Sequence, residues 1–361
     1  VSQGLGKSLA CPADMSLFSQ LFTTQCDWKV VMCSVIFGIL FFMLGTTTAI
    51  LGNWLEHVGP RKCGLASCCC FCFFFFMLSL ATFTHQLWIA WLSAIIGGIG
   101  LGTGYITPVS TLVKWFPNNR GLATGLAIMG FGFASLVAGP LMQILIAKYG
   151  LVENFVILAC IYAVVMTASA LYLEPPKQET AAGKGQFKAK MPEHVQYTVK
   201  EAMHTWQFYA LWWIFFTNIT CGIGLLAVAS PMAQEVIGMS PIAAASMVGI
   251  IGLLNGGGRI VWSTISDYIG RANTYLAFFV IEIVAFYLLG GVNESFMFQL
   301  LVFIIITCYG GGFSCMPAYL SDLFGTKQLS AIHGRILTAW GLAGIAGPLL
   351  LSVIYERTHS Y

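Results

Sequence analysis

The stretch Gly52-Asn-Trp-Leu-Glu56-His-Val-Gly59-Pro-Arg61-Lys62 decides the fold, because it has a counterpart at Ser263-Thr-Ile-Ser-Asp267-Tyr-Ile-Gly270-Arg271. Glu56 and Asp267 are 211 residues apart, and the two turn glycines have the same separation. An interval of 208 residues separates two further pairs, Gly139-Pro140 with Gly347-Pro348 and Phe116 with Phe324. This spacing indicates duplicated halves, and parallel halves related by an axis along the membrane normal occur in transporters.

The composition is that of a membrane protein. Of 361 residues, 58% are hydrophobic and only 9% are charged, and the mean hydropathy is +0.81. Soluble domains carry about 25% charged residues, so a lipid bilayer is the expected surroundings. The net charge of +3 gives no support for nucleic-acid binding.

Ten segments are long and apolar enough to cross a bilayer, which needs about 20 residues. We therefore predict an all-α membrane protein with two pseudo-symmetric halves: an exofacial segment 1–29, an N-terminal half 30–173, a cytoplasmic linker 174–205 and a C-terminal half 206–361. The ten predicted spans are 30–53, 64–84, 87–113, 121–147, 152–173, 206–232, 242–266, 273–292, 296–321 and 331–355.

Basic residues set the predicted orientation. The connections on the linker's side of the membrane hold most of the Lys and Arg between spans, whereas the opposite connections hold little beyond Lys148. Because cytoplasmic loops carry an excess of these residues, the linker is placed in the cytoplasm.

The repeated acidic stretch predicts a conformational latch. Each copy joins an acid, a turn glycine and a basic residue, with Glu56 and Arg61 in one and Asp267 and Arg271 in the other. Glycine permits a tight turn, and a carboxylate there can pair with Arg or cap a neighbouring helix. A role as a topology anchor alone stays open.

Four stretches carry a family resemblance. They are Thr107-Pro-Val-Ser-Thr-Leu-Val-Lys-Trp-Phe-Pro-Asn-Asn-Arg-Gly-Leu-Ala-Thr-Gly125, Val199-Lys-Glu-Ala-Met-His-Thr-Trp-Gln-Phe-Tyr-Ala-Leu-Trp-Trp213, Leu254-Asn-Gly-Gly-Gly-Arg-Ile-Val-Trp262 and Leu337-Thr-Ala-Trp-Gly-Leu-Ala-Gly344. In their order and spacing the chain resembles the oxalate/formate-antiporter family of the major facilitator superfamily, which is related to the monocarboxylate transporters. The resemblance implies twelve spans, of which the first and last have no match here, and secondary transport of small organic anions.

Arg259 is the leading candidate for binding the anion. An arginine within a span is costly and indicates a functional site, and guanidinium binds carboxylate through two parallel hydrogen bonds. Members of the resembled family place an anion-binding Arg here. The alternative is an arginine that snorkels to the cytoplasm. Monocarboxylate transporters carry an Asp four residues earlier, where this chain has Asn255.

Trp340 bears on the substrate. Oxalate carriers of the resembled family have a second cation, a lysine, where this chain has Trp340. One fixed positive charge suits a monoanion, since a second carboxylate would be desolvated without a partner. We therefore expect monocarboxylates, with oxalate/formate-type exchange as the alternative.

The resemblance also places aromatic residues around the substrate, namely Tyr105, Phe131, Tyr309, Phe313 and Trp340. Glu282 is the acid deep within a span, and it can serve either as the charge partner of Arg259 or as a proton-coupling site. The coupling partner, a proton or a counter-anion, stays open, as do the transport direction and the cellular membrane.

We expect a monomer without metal or cofactor that is not an enzyme, and a non-transporting receptor or sensor is the alternative from a different class. Cys69 and Cys72 lie in an apolar run, where a metal or redox site is unfavourable. Cys11 and Cys26 can form a disulfide if the exofacial side is oxidising.

Overall fold

The computed structural model describes residue 28 and residues 30–175 and 196–358. The Cys11–Cys26 pairing and most of the predicted linker lie outside this part of the chain. The described residues form eleven α-helices: α1 Val30–Val58, α2 Pro60–Thr84, α3 Leu87–Trp115, α4 Arg120–Tyr149, α5 Leu151–Tyr172, α6 Val199–Met203, α7 Trp206–Glu235, α8 Pro241–Ile269, α9 Arg271–Leu289, α10 Ser295–Phe324 and α11 Leu329–Thr358.

Ten of these helices are long and apolar enough to cross a membrane, as predicted; the short α6 is the exception. Most of them extend beyond the predicted apolar segment. The first span was predicted to end at residue 53, but α1 continues to Val58 and includes Glu56 and His57. Apolarity marks only the part of a helix in hydrocarbon, whereas the hydrogen-bonded helix continues into the polar interface.

The turn glycines of the repeat adopt the same backbone conformation. Gly59 and Gly270 both have φ 87°, a left-handed value that glycine adopts without steric cost. Each joins two long helices with a single residue, α1 to α2 and α8 to α9. The predicted tight turns are therefore confirmed at both copies.

The described residues form two compact units. The first contains residues up to Pro108 together with Ala138–Pro175. Its main helix pair is α2 with α5, and its core includes Phe74, Leu78 and Phe155.

The second unit contains Val109–Val137 and the described residues from 196 onward. Its main helix pairs are α8 with α10 and α7 with α11. A large apolar core includes Leu225, Ile251, Ile305 and Ile306. The division into halves at 174–205 remains a prediction.

The short helix α6 directly precedes α7 and starts with a capping box. The Thr198 side chain accepts from the Glu201 amide, and the Glu201 carboxylate accepts from the Thr198 amide at 2.7 Å. The hydrogen bonds that the carboxylate accepts from Thr198, first from its backbone amide and second from its hydroxyl, lower the pKa of the exposed Glu201. The box therefore fixes the backbone conformation at the start of α6, just before α7.

Candidate functional site

Arg259 is buried within the second unit, with 6% of its surface exposed. Its Nε donates to Asn255 Oδ1 at 3.0 Å, one turn earlier on α8. One terminal nitrogen donates to the Ile128 carbonyl of α4, also at 3.0 Å. Both acceptors are neutral. The guanidinium is thus held inside the protein between two helices, which is not the geometry of a side chain that snorkels to the membrane surface.

A cluster of aromatic rings lies beside this guanidinium. The Arg259 Cζ lies 5.0 Å from the centre of the Phe313 ring, a distance typical of a cation–π contact. Phe313 in turn meets Trp340 edge-on at 5.5 Å between ring centres. It also contacts Phe215 at 5.7 Å. Helices α7, α8, α10 and α11 therefore contribute to one cluster.

Tyr309 lies one turn before Phe313 on α10, and both are buried. A Cβ at Gly222 of α7 would overlap the Tyr309 ring, so the ring fits against the bare backbone of that glycine. The structure thus brings four predicted residues, Arg259, Tyr309, Phe313 and Trp340, into the second unit and adds Phe215, which the sequence analysis missed.

The other two predicted aromatic residues are Tyr105 and Phe131. Tyr105 is buried in the first unit, on α3. Phe131 belongs to α4 in the second unit, but 41% of its surface is exposed. A role for either residue in substrate binding remains a prediction.

Glu282 has a different partner from the one considered above. Its Oε1 accepts a hydrogen bond from Asn218 Nδ2 at 2.9 Å, and the pair is buried between α7 and α9. Arg259 instead uses Asn255 as its side-chain acceptor. Glu282 and Arg259 thus have different side-chain hydrogen-bond partners, and the role of Glu282, as charge partner or as proton-coupling site, remains a prediction.

The repeated acidic stretch of the second unit forms a charge network. Asp267 accepts from the amides of Gly121 and Leu122 at 2.9 and 3.0 Å, at the beginning of α4. Its Oδ1 also pairs with Arg271 at 2.5 Å. Both roles expected of this carboxylate, pairing with Arg and capping a neighbouring helix, are thus present together.

Two further charged residues, which the sequence analysis did not select, complete this network. Asp322 at the end of α10 accepts from Arg271 Nε at 3.0 Å and from Arg120 at 2.9 Å. Asp322 was missed because its counterpart at the 208-residue interval is Lys114, so the internal repeat does not point to it. The sequence signal that could have pointed to Asp322 is its place three residues before Gly325, the glycine that ends α10.

In the first unit, Arg61 forms an ion pair with Glu174, and both side chains are about half exposed, at 50% and 51%. Glu56 is partly buried at the end of α1. Whether this copy of the stretch acts as a latch remains a prediction. Among the described residues, no group of three His, Cys, Asp or Glu side chains could hold a metal ion.

The match to a known protein family extends over nearly the whole chain. The profile of the Major Facilitator Superfamily matches residues 12–348. The chain belongs to the Major Facilitator Superfamily. This membership identifies an integral multi-pass membrane protein of a transporter superfamily, in agreement with the ten apolar helices.

Relatives within the Major Facilitator Superfamily include transporters of small anions. The chain is 29% identical over 334 residues to the "Uncharacterized MFS-type transporter YhjX" of Escherichia coli, which covers 91% of this chain and 81% of that protein. The "Oxalate:formate antiporter" of Oxalobacter formigenes is 28% identical over 255 residues, or 70% of this chain and 59% of that protein. Human "Monocarboxylate transporter 1" is 26% identical over 208 residues, 55% of this chain and 40% of that protein. The predicted resemblance to these two kinds of carrier is thus confirmed.

Among solved structures, the Escherichia coli fucose:proton symporter FucP has the same Major Facilitator Superfamily fold. The TM-score is 0.72, with 11% sequence identity, and the match covers 92% of this chain and 86% of that one.

Proposed function

We propose that this protein is a secondary transporter of small organic anions, most of all monocarboxylates, and that Arg259 binds the carboxylate. The observation that carries the proposal is the buried guanidinium of Arg259 against Phe313 within a transporter fold. The names of two relatives, an oxalate:formate antiporter and a monocarboxylate transporter, agree with an anionic substrate.

The chemistry of the cluster supports a carboxylate. A guanidinium offers donors in a planar fork that matches the two carboxylate oxygens. Burial strengthens such an interaction, because the local dielectric constant is low. The rings of Phe313 and Trp340 would exclude water and contact the apolar part of a small substrate.

The charge balance of the cluster favours a monoanion. The residue that would supply a second cation on α11 is Trp340, an uncharged ring. A dicarboxylate would then place a second, unpaired charge in a low-dielectric site. The desolvation free energy of that charge would weaken its binding, whereas a monoanion has no second charge to desolvate. Exchange of oxalate for formate is the alternative, and the substrates used below distinguish the two.

The Asp267 network supports a role in gating. A transporter that alternates between access states needs contacts that form in one state and break in another. Asp267 joins the end of α8 to the beginning of α4 through two amide hydrogen bonds, and Arg271 and Asp322 hold it in place. We infer that release of α4 from Asp267 accompanies the change of access.

Uptake into proteoliposomes tests the proposed substrate and its binding residue. Radiolabelled lactate, pyruvate, formate and oxalate are offered to the wild type and to Arg259→Gln. Loss of one partner of a buried charge pair costs about 3–5 kcal/mol. We therefore expect the affinity of Arg259→Gln for monocarboxylates to fall by roughly two to four decades.

Arg335→Gln is the matched control. Arg335 also lies in a spanning helix, but its hydrogen bond goes to the Ala331 carbonyl of its own helix. This variant should transport with nearly unchanged affinity. If Arg259→Gln binds monocarboxylates as tightly as the control does, Arg259 is structural and the proposed function loses its main support.

A further inference from the structure

Glu282 and Asn218 form a buried pair in which one oxygen atom of each side chain has no hydrogen bond. Glu282 is 2% exposed and Asn218 is fully buried. One bond joins them, from Asn218 Nδ2 to Glu282 Oε1. The second carboxyl oxygen, Oε2, and the amide oxygen, Oδ1, have no hydrogen-bond partner. Unpaired buried oxygens are costly, so two on one pair require an explanation.

Both oxygens are acceptors, and this fact restricts the explanation. A carboxylate has no proton to donate, and an amide oxygen can only accept. Rotating the amide by 180° exchanges its oxygen and nitrogen but leaves the pair short of one donor. A single proton on Oε2 would supply that donor, because an acid and an amide can join through two hydrogen bonds, N–H to carbonyl and O–H to amide oxygen.

The surroundings of the pair offer no compensating charge. Within the described part of the chain, Glu282 forms no ion pair. Among the residues that the structure describes, the titratable side chains that interact with it are two thiols, Cys221 of α7 and Cys308 of α10. Ionised carboxylates inside a membrane are expensive unless they are paired, so this environment favours the neutral acid.

From this geometry we propose that the Glu282–Asn218 pair is a proton-binding site within the membrane, and that its occupancy is linked to binding of the anion at Arg259. The first part stands on the two unpartnered oxygens. The second part rests on the proposed function. A proton on Glu282 removes a negative charge from the unit that receives the anion, so proton and anion should each favour the other's binding.

A short path of packed side chains joins the two sites. A Cβ at Gly312 of α10 would overlap the Asn218 amide, so the amide lies directly against this glycine. The next residue, Phe313, contacts the Arg259 guanidinium. On α7, Phe215 packs against the same Phe313 ring and lies about one turn before Asn218. Packed residues of both α7 and α10 therefore connect the acid–amide pair with Phe313.

Infrared difference spectroscopy of the full chain in lipid vesicles tests the proton site without any transport. A protonated carboxylic acid has a carbonyl band that carboxylates and amides lack. At neutral pH the wild type should show this band, and Glu282→Gln should remove it, whereas Glu153→Gln, at an exposed acid of α5, should not. Glutamine can form both hydrogen bonds with Asn218, so the variant is expected to fold. A wild-type spectrum that Glu282→Gln leaves unchanged would overturn the proton site.

The linkage is tested separately by measuring lactate affinity in proteoliposomes from acidic to alkaline pH. In the wild type the affinity should weaken toward alkaline pH by about 5- to 150-fold, the usual size of coupling between two sites. In Glu282→Gln it should stay near the acidic wild-type value at every pH. A variant that keeps the wild-type pH dependence would overturn the linkage. An infrared band that depends on Glu282 in a protein that transports none of the anions would instead refute the proposed function alone.

Discussion

Arg259 is positioned by its own helix and by the backbone of another. The bond from Nε to Asn255 fixes the side chain along α8, and the bond to the Ile128 carbonyl fixes its far end against α4. These contacts reduce the rotamer freedom that an anion would otherwise have to restrict on binding. A guanidinium held in this way loses less entropy on binding than a free one would.

Replacing Trp340 tests the substrate preference at the scale of one residue. Trp340→Lys would place an ammonium near Phe313 and Arg259, on the α11 side of the cluster. A second cation would pair with a second carboxylate, so oxalate uptake should rise relative to lactate uptake. Competition between the two labelled substrates measures this ratio. Trp340→Phe, which removes the indole without adding charge, is the control and should leave the ratio nearly unchanged.

An equal change of the ratio in both variants would contradict the electrostatic explanation. In that case the size of the ring, rather than the charge at the position, would determine which anion binds.

The contacts between side chains could be predicted only in part from the sequence. An arginine in an apolar segment, such as Arg259, is visible in the sequence because the membrane penalises it. Its hydrogen bond to the Ile128 carbonyl was not visible, and neither was the packing of Phe215 on Phe313, since both depend on the rotation of neighbouring helices. Asn218 was overlooked for the same reason, although a polar amide within an apolar span is itself a signal. The ten spans and two turn glycines needed no such information, because hydropathy and a local steric rule determine them.

Close packing of α4 against α8 depends on glycines at the contact. A Cβ at Gly125 would lie 2.6 Å from the Arg259 carbonyl oxygen. At Gly132 the backbone approaches Gly256, and a Cβ would lie 2.5 Å from its amide nitrogen. Because the obstructing atoms belong to the backbone, they cannot move without shifting a whole helix. Small residues allow such approaches between membrane helices.

Gly125→Ala should therefore destabilise the protein by about 1–3 kcal/mol, the usual cost of overpacking. Thermal unfolding of the purified protein measures the effect as a lower Tm. Gly130→Ala is the matched control on the same helix, because a Cβ there meets nothing within 4 Å. Alanine in an open helical position is favoured over glycine by roughly 0.5–1 kcal/mol. Equal Tm values for the two variants would show that the contact between α4 and α8 tolerates a methyl group.

At the scale of the whole molecule, residues 109–137 pack with the C-terminal part of the chain, although the sequence places them before the linker. Arg120 with Asp322, Ile128 with Arg259 and Asp267 with the beginning of α4 all connect these two parts. The internal repeat predicts where the chain was duplicated, but contacts formed after duplication cannot be read from it.

These contacts predict that a chain divided within the linker stays assembled. Fragments 1–175 and 176–361, co-expressed with an affinity tag on the second, should purify together from mild detergent. Gly132→Leu in the first fragment should reduce the recovered amount, because the larger side chain cannot approach Gly256. Purification of the tagged fragment alone in the unsubstituted pair would show that these contacts do not hold the two parts together.

The hydrogen bonds of Asp267 have an evolutionary consequence. Its acceptor oxygens meet main-chain amides of Gly121 and Leu122, which every non-proline residue would provide. Genetic drift at Leu122 can therefore change the side chain without removing the donor, whereas replacing Asp267 by a residue without a side-chain acceptor abolishes both bonds. We therefore expect selection to act on the acid at position 267, because only its side chain supplies the acceptors. Gly121 is restricted for a different reason, the lack of space beside Ser263. The two amide donors are part of the backbone and do not depend on side-chain identity.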